Sequence, residues 1–245
     1  MEPYNKENGI SVFILTENKV GWHVKNSEKA IIKNFAVGLP GKMAYGDGKE
    51  METAIRKQQV QEAYLTKDGF EGDGVGDVKH HGGPERAVCI YPYEHYGYWN
   101  DYFNTQLSQA AFGENLTVTN MLEKDICIGD IFQIGEAVIQ VTQGRVPCST
   151  IDRRLDMKPL LKEMVKTGYT GYLCRVLEEG MIRADSTIRP VAKGSQQVSV
   201  LYANEVNFHH PKDVDGIVKV LEAEELADEW RQFLTKRLIK LTAGS

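Results

Sequence analysis

Cys148 is the residue most suited to chemistry. It sits in Gln143-Gly144-Arg145-Val146-Pro147-Cys148-Ser149-Thr150, where a strand-like run gives way to a helical one. Backbone N–H groups at a helix start point towards an anion at the cap, and the helix dipole adds about 0.3–1 kcal/mol. Arg145, Arg153 and Arg154 against the single Asp152 make this stretch cationic in an acidic chain. Such surroundings favour the thiolate, the form that acts as nucleophile or metal ligand. A buried structural thiol beside a proline turn is the alternative.

A thiolate nucleophile needs a base, and His80, His81 and His95 are the candidates; nothing in the sequence sets any of them beside Cys148. One cysteine without partners at ligand spacing cannot close a tetrahedral zinc site, so a bound metal would bring most of its ligands with a cofactor. Cys89, Cys127 and Cys174 each lie inside an apolar strand-like run and read as small core hydrophobes. Four cysteines with long gaps make no disulfide framework.

The glycine-dense stretch Asp68 to Pro84 fails as a dinucleotide fingerprint, because Asp77 stands where a third glycine is required. It fails as a phosphate-binding P-loop for want of Gly-Lys-Ser/Thr, and as a calcium loop because Val75 occupies a ligand position. Two readings stay open there: a tight solvated loop, or glycines that let backbone approach an anionic ligand while a histidine bonds to it.

The elements that must hold these residues are mostly strands. Runs at Ile31 to Val37, Gln59 to Leu65, Ala87 to Tyr91, Asn115 to Val118, Ile131 to Thr142, Tyr172 to Glu178 and Ser186 to Val191 are separated by glycine-rich turns, the spacing of a barrel or sandwich. Helices are expected over Pro92 to Phe103, on Tyr93, Tyr96 and Trp99, and from about Thr150 to Lys166, opened by the S-x-x-D signature of Ser149 and Asp152. After the polar linker at residues 192–197 the pattern becomes three helices: Val198 to Phe208, Val214 to Leu221 and Ala223 to Leu241. So small a helical unit should pack on the barrel or against a second subunit in a homodimer. Residues 1–30 stay unassigned.

With 245 residues, 42% hydrophobic and 26% charged, the chain is a compact folded protein. Its net charge of −5 gives no broad footprint for nucleic acid, and no nucleic-acid motif is present. No apolar run approaches the roughly 18 residues of a membrane span. The start, Met1-Glu2-Pro3-Tyr4, has no secretory pattern, so a cytoplasmic location is the expectation.

Taken in order, Gly72-Asp73 … Asp77, His81-Gly82-Gly83-Pro84, Ala87-Val88 … Tyr91-Pro92 … His95-Tyr96 … Trp99, Phe112-Gly113-Glu114-Asn115-Leu116, Gly129-Asp130 and Gln143 to Cys148 strongly resemble the MOSC family, named for the C-terminal domain of molybdenum cofactor sulfurases. The likeness runs from about Ile31 to Val191, and the helices beyond resemble the three-helix extension of the stand-alone bacterial YiiM-like subgroup. The resemblance implies a mainly β fold with helical insertions: a MOSC-type β-barrel over 31–195 and a small C-terminal α-helical subdomain over 198–241. It also implies the molybdenum cofactor (molybdopterin), with Cys148 as catalytic residue and metal ligand, and His81, Gly82, Gly83, Asn115, Arg145 and Arg153 around the cofactor. The implied activity is reduction of N-hydroxylated compounds, such as hydroxylaminopurine-type bases, to amines. With no nicotinamide or flavin signature, the small-molecule substrate would be reduced with electrons from an external reductase. Two other functions remain: a sulfur carrier holding a Cys148 persulfide, and a non-catalytic cofactor-binding module. The sequence departs from the family pattern at Gly144, before the arginine, and at Ala184-Asp185, where Gly-Asp is usual.

Overall fold

The computed structural model describes residues 29–76 and 82–243. The apolar run Val12 to Leu15, His80 and His81 lie outside the described residues.

In chain order the strands are β1 (Ile32–Val37), β2 (Gly41–Tyr45), β3 (Lys49–Thr53), β4 (Gln58–Gln59), β5 (Glu62–Thr66), β6 (Gly69–Phe70), β7 (Val88–Pro92), β8 (Leu116–Val118), β9 (Ile131–Ile134), β10 (Ala137–Gly144), β11 (Tyr172–Glu178), β12 (Gly180–Arg183) and β13 (Ile188–Ala192). Eight of them form one curled mixed sheet, a half-barrel, in the order β13-β9-β10-β11-β7-β8-β1-β4. Only β7 and β8 pair in parallel within it; β12-β5-β6 and β2-β3 form smaller sheets among the described residues. The inner face is apolar at every second position, as a half-buried strand requires: Ala137, Ile139 and Val141 on β10 and Tyr172, Cys174 and Val176 on β11 are all buried. With Phe35, Ile90 and Leu116 they make the main core.

The expected run Ile131 to Thr142 is two strands turned at Gly135, a hairpin that continuous apolar alternation conceals. Strands β2 and β3 escape sequence reading because they carry one buried residue between them, Met43.

Six α-helices are described. Helix α1 (Glu94–Phe103) buries His95, Tyr96 and Trp99 and leaves Tyr93 exposed. The single helix expected from Thr150 to Lys166 is two, α2 (Ser149–Leu155) and α3 (Leu160–Thr167), broken at Asp156, which sits in the left-handed region. The cap of α2 is Cys148 itself; Asp152 serves the next helix, its Oδ1 accepting from Leu161 N at 2.8 Å. At the end of the chain come α4 (Val200–Phe208), α5 (Val214–Leu221) and α6 (Asp228–Thr242), with Ser199 and Asp213 as side-chain caps of the first two. These helices share a core of Val206, Ile217, Val220, Trp230 and Leu234. They pack on β10 of the same chain, α4 against the strand and Ala227 N bonded to Thr142 O at 3.1 Å.

Candidate functional site

Strand register builds the floor of a cavity of about 420 Å³. On β10 and β11 the core side is taken by Val141 and Cys174, which pair, yet Gln143 pairs with Leu173: a β-bulge lies between Val141 and Gln143. Without it Gln143 would follow Val141 into the core. The extra residue switches its parity and sends it to the opposite face. Leu173 in turn pairs with Cys89 on β7. Cys89 exchanges bonds with Asn115, its N–H donating to Asn115 Oδ1 at 3.0 Å and its carbonyl accepting from Asn115 N at 2.9 Å. Gln143, Leu173, Cys89 and Asn115 therefore form one row across neighbouring strands, and all four line the cavity.

Asn115 is held from three sides. Its Nδ2 donates to Asp73 Oδ2 at 2.8 Å and to Ala36 O at 3.3 Å. Asp73 also accepts from Gly38 N at 2.8 Å and is paired with Lys57, whose side chain is almost fully buried. Lys57 and Asp73 both reach the cavity wall.

Past Gly144 the chain leaves the sheet with Arg145 and arrives at α2 with Cys148, so both face the same cavity. Arg145 N donates to Gly171 O at 3.0 Å and its Nη2 to Phe112 O at 2.7 Å. Its Nη1 is buried with no hydrogen-bond partner among the described residues. Burial works against this guanidinium's charge, but the Cys89 and Cys148 thiols and the Glu114 carboxylate outweigh it and raise the pKa above that of an ordinary arginine. The Arg145 guanidinium and the Cys148 sulfur thus attract each other across the wall. Burial pushes the Cys89 thiol up, only partly offset by Arg145.

Behind these residues stands a polar scaffold. Glu114, fully buried, accepts from Tyr96 OH, Thr117 Oγ1 at 2.8 Å and Phe112 N at 3.2 Å, and so fixes the carbonyl that Arg145 uses. Gly113 beside it has φ +77°, and a Cβ there would lie 2.7 Å from Ile55 Cγ1; this closure of the wall needs glycine. His95 bonds Glu123 Oε2 at 2.7 Å and stacks on Tyr169, while Glu123 Oε1 accepts from Gly171 N at 2.8 Å. His95 thus braces the segment that receives Arg145 and does not line the cavity.

The cavity gathers Cys148, Asn115, Arg145, Gly82 and Gly83 as the sequence suggests. It does not gather Arg153, which is exposed on α2 over the Tyr45 ring. The next residue, Arg154, turns inward instead and donates to Ile55 O and Ala110 O. His81 lies outside the described residues. Sequence reading missed Cys89, because an apolar strand with both faces covered gives no sign of which face opens on a site. It missed Lys57, far from any motif, and the contribution of the last helix: Glu229 and Trp230, in the first turn of α6, complete the wall. Glu229 is paired with Arg86, and Glu85 accepts from Asp228 N at 2.7 Å and Arg175 Nη2 at 2.7 Å, fastening α6 to the turn Pro84–Arg86.

Among the described residues no group of three or more His, Cys, Asp or Glu side chains could hold a metal ion alone, and no helix is long and apolar enough to cross a membrane.

Family models match two parts of the chain: the MOSC domain over residues 77–189, and the YiiM-like, 3-alpha helix domain over residues 198–240. Protein YiiM of Escherichia coli is 40% identical over 198 residues, 79% of this chain and 87% of that protein. The crystal structure of YiiM from Geobacillus stearothermophilus superposes with a TM-score of 0.72 at 30% identity, over 85% of this chain and 99% of that one. A protein named reductase from Gibberella moniliformis is 35% identical over 164 residues, 65% of this chain but 29% of that longer protein.

Proposed function

Because the chain belongs to the MOSC family, with the YiiM-like helical extension, we propose that its cavity binds the molybdenum cofactor and that the protein reduces N-hydroxylated compounds to amines. The observation that carries this reading is the presence, on one cavity wall, of the Cys148 thiol and of an Arg145 whose buried Nη1 has no partner among the described residues.

The residues fit such a group. A buried guanidinium N–H without an acceptor matches an anionic ligand, and a cofactor phosphate supplies one. Arg145, Lys57 and Arg86 are cations at the wall, the last two paired with Asp73 and Glu229, and Gly82 and Gly83 leave backbone open to close approach. Cys148 would be the protein's ligand to the metal; one soft thiolate suffices where the cofactor brings two sulfurs of its own. When bound, the cofactor supplies the two-electron chemistry that converts R–NHOH, with two protons, into R–NH2 and water.

The chain's own part is positional and electrostatic. Arg145 holds negative charge beside Cys148; its Nη2 bond to Phe112 O keeps the guanidinium from swinging away, and its backbone N–H on Gly171 O fixes the chain beneath it. Asn115, locked by Asp73 and Ala36, holds the floor strand at Cys89 in place. The name of the fungal relative supports a reductase, and most of that protein lies outside the match. Electrons for this chain would come from a separate donor protein.

The test is anaerobic turnover of 6-hydroxylaminopurine by cofactor-loaded protein with an artificial reductant. Stoichiometric adenine is expected; loaded protein that yields none removes the reductase assignment.

A further inference from the structure

The glycine wall of the cavity is held by an arginine that the helical extension holds in turn. Gly82 and Gly83 line the cavity just ahead of the turn Pro84–Arg86. Gly83 has φ +108°, an angle other residues rarely adopt, and a Cβ there would meet no atom within 4 Å. The backbone angle, not crowding, therefore requires glycine, and a side chain here would project into open space.

The barrel fixes the back of this turn: Thr142 Oγ1 on β10 donates to Glu85 O at 2.7 Å. Its front is held by Arg86. Arg86 Nε donates to Gly82 O at 3.0 Å, and Arg86 N donates to Gly83 O at 3.0 Å. The Arg86 side chain is only 16% exposed, and its Nη1 donates to Glu229 Oε2. One planar guanidinium thus bridges the glycine backbone and the first turn of α6. A lysine ammonium could keep the ion pair but has no second, rigidly placed N–H for Gly82. Glu229 is itself well placed, since a carboxylate in the first turn of a helix is favoured by the dipole.

We propose that Arg86 and Glu229 are a positioning pair: Glu229 of the helical extension orients Arg86, and Arg86 fixes the Gly82–Gly83 backbone against a cofactor bound in the cavity. This rests on the cofactor reading for what occupies the cavity. The extension thereby acts as a clamp on the site. Mere fastening of α6 to the barrel would need only the ion pair; positioning needs the Nε bond to Gly82 as well.

The experiment compares wild type, Glu229→Ala, Arg86→Gln, Arg86→Lys and the double variant Arg86→Gln with Glu229→Ala, each made with abundant cofactor. Three quantities are measured: the rate of molybdenum loss on dialysis, amide hydrogen exchange over residues 82–88 in cofactor-free protein, and the melting temperature. Loss of a group that orients a ligand-holding element predicts roughly tenfold faster molybdenum loss in Arg86→Gln and in Glu229→Ala. The double variant should be no worse than Arg86→Gln, because the two residues act in series. Arg86→Lys should keep a melting temperature near wild type, yet lose molybdenum as fast as Arg86→Gln and exchange the amides of residues 82–88 faster than wild type. Wild-type retention of molybdenum in Arg86→Lys or in Glu229→Ala, or additive effects in the double variant, overturns the proposal. Wild type that holds no molybdenum removes the cofactor reading. Exchange then decides the clamp alone: faster exchange in Arg86→Lys and Glu229→Ala supports it, and unchanged exchange overturns it.

Discussion

Gly144 and Asn204 are packed so closely that a Cβ on Gly144 would stand 2.0 Å from Asn204 Oδ1. Asn204 belongs to α4, and its Nδ2 donates to Thr170 Oγ1 at 3.0 Å and Gly168 O at 3.2 Å. The helical extension therefore presses on the β10 end from which Arg145 and Cys148 depart. Gly144, the residue before Arg145, is the one that lets the extension dock there.

Gly144→Ala is expected to destabilise the protein by about 1–3 kcal/mol through overpacking, with a lower melting temperature. Asn204→Ala in the same chain removes the clashing amide and should recover part of the loss. Thermal unfolding of the single and double variants checks this; full additivity of the two effects would show that the contact is not the cause.

Lys57 and Asp73 form a nearly buried ion pair, with side-chain exposures of 6% and 12%. Asp73→Ala strands the ammonium and should cost about 3–5 kcal/mol, and it also removes the acceptor of Asn115 Nδ2. Lys57→Met with Asp73→Leu should lie closer to wild type than Asp73→Ala alone. Urea unfolding of the three proteins decides it.

Burial, reinforced by the Asp130 carboxylate, pushes the Cys127 thiol from 9.0 up to about 11. Between those values the folded chain keeps a proton that the unfolded chain has released, so stability falls as pH rises from 9 to 11 and is untouched below. The upper bound is about 2–3 kcal/mol. Urea unfolding at pH 8, 9, 10 and 11 should give wild type a steeper loss than Cys127→Ala over that window; parallel slopes would contradict it.

The parts of this molecule legible in its sequence are those where one physical signal acts alone. Tyr172 to Glu178 alternates cleanly and is a strand over those residues; Val214 to Leu221 carries a helical stripe and is a helix there. The strand-to-helix turn at Cys148 is readable because proline and the charge pattern mark it. Gln143 is not, since its place on the floor depends on a bulge that resets side-chain parity, and parity is a matter of pairing with Leu173, not of local residue type. Lys57 and Trp230 join the site only by tertiary packing, from opposite ends of the chain. Arg153 and Arg154 show the limit of spacing: both are basic and adjacent, and the helix geometry of α2 turns only the second one in.

The proposed chemistry depends on Cys148 holding a molybdenum centre in this cavity. Elemental analysis of wild type, Cys148→Ser and Cys89→Ser, each made with abundant cofactor, addresses it directly. About one molybdenum per chain in wild type and Cys89→Ser, with a loss of at least about tenfold in Cys148→Ser, is the predicted result. Equal loading of wild type and Cys148→Ser, or no molybdenum in either, would contradict it.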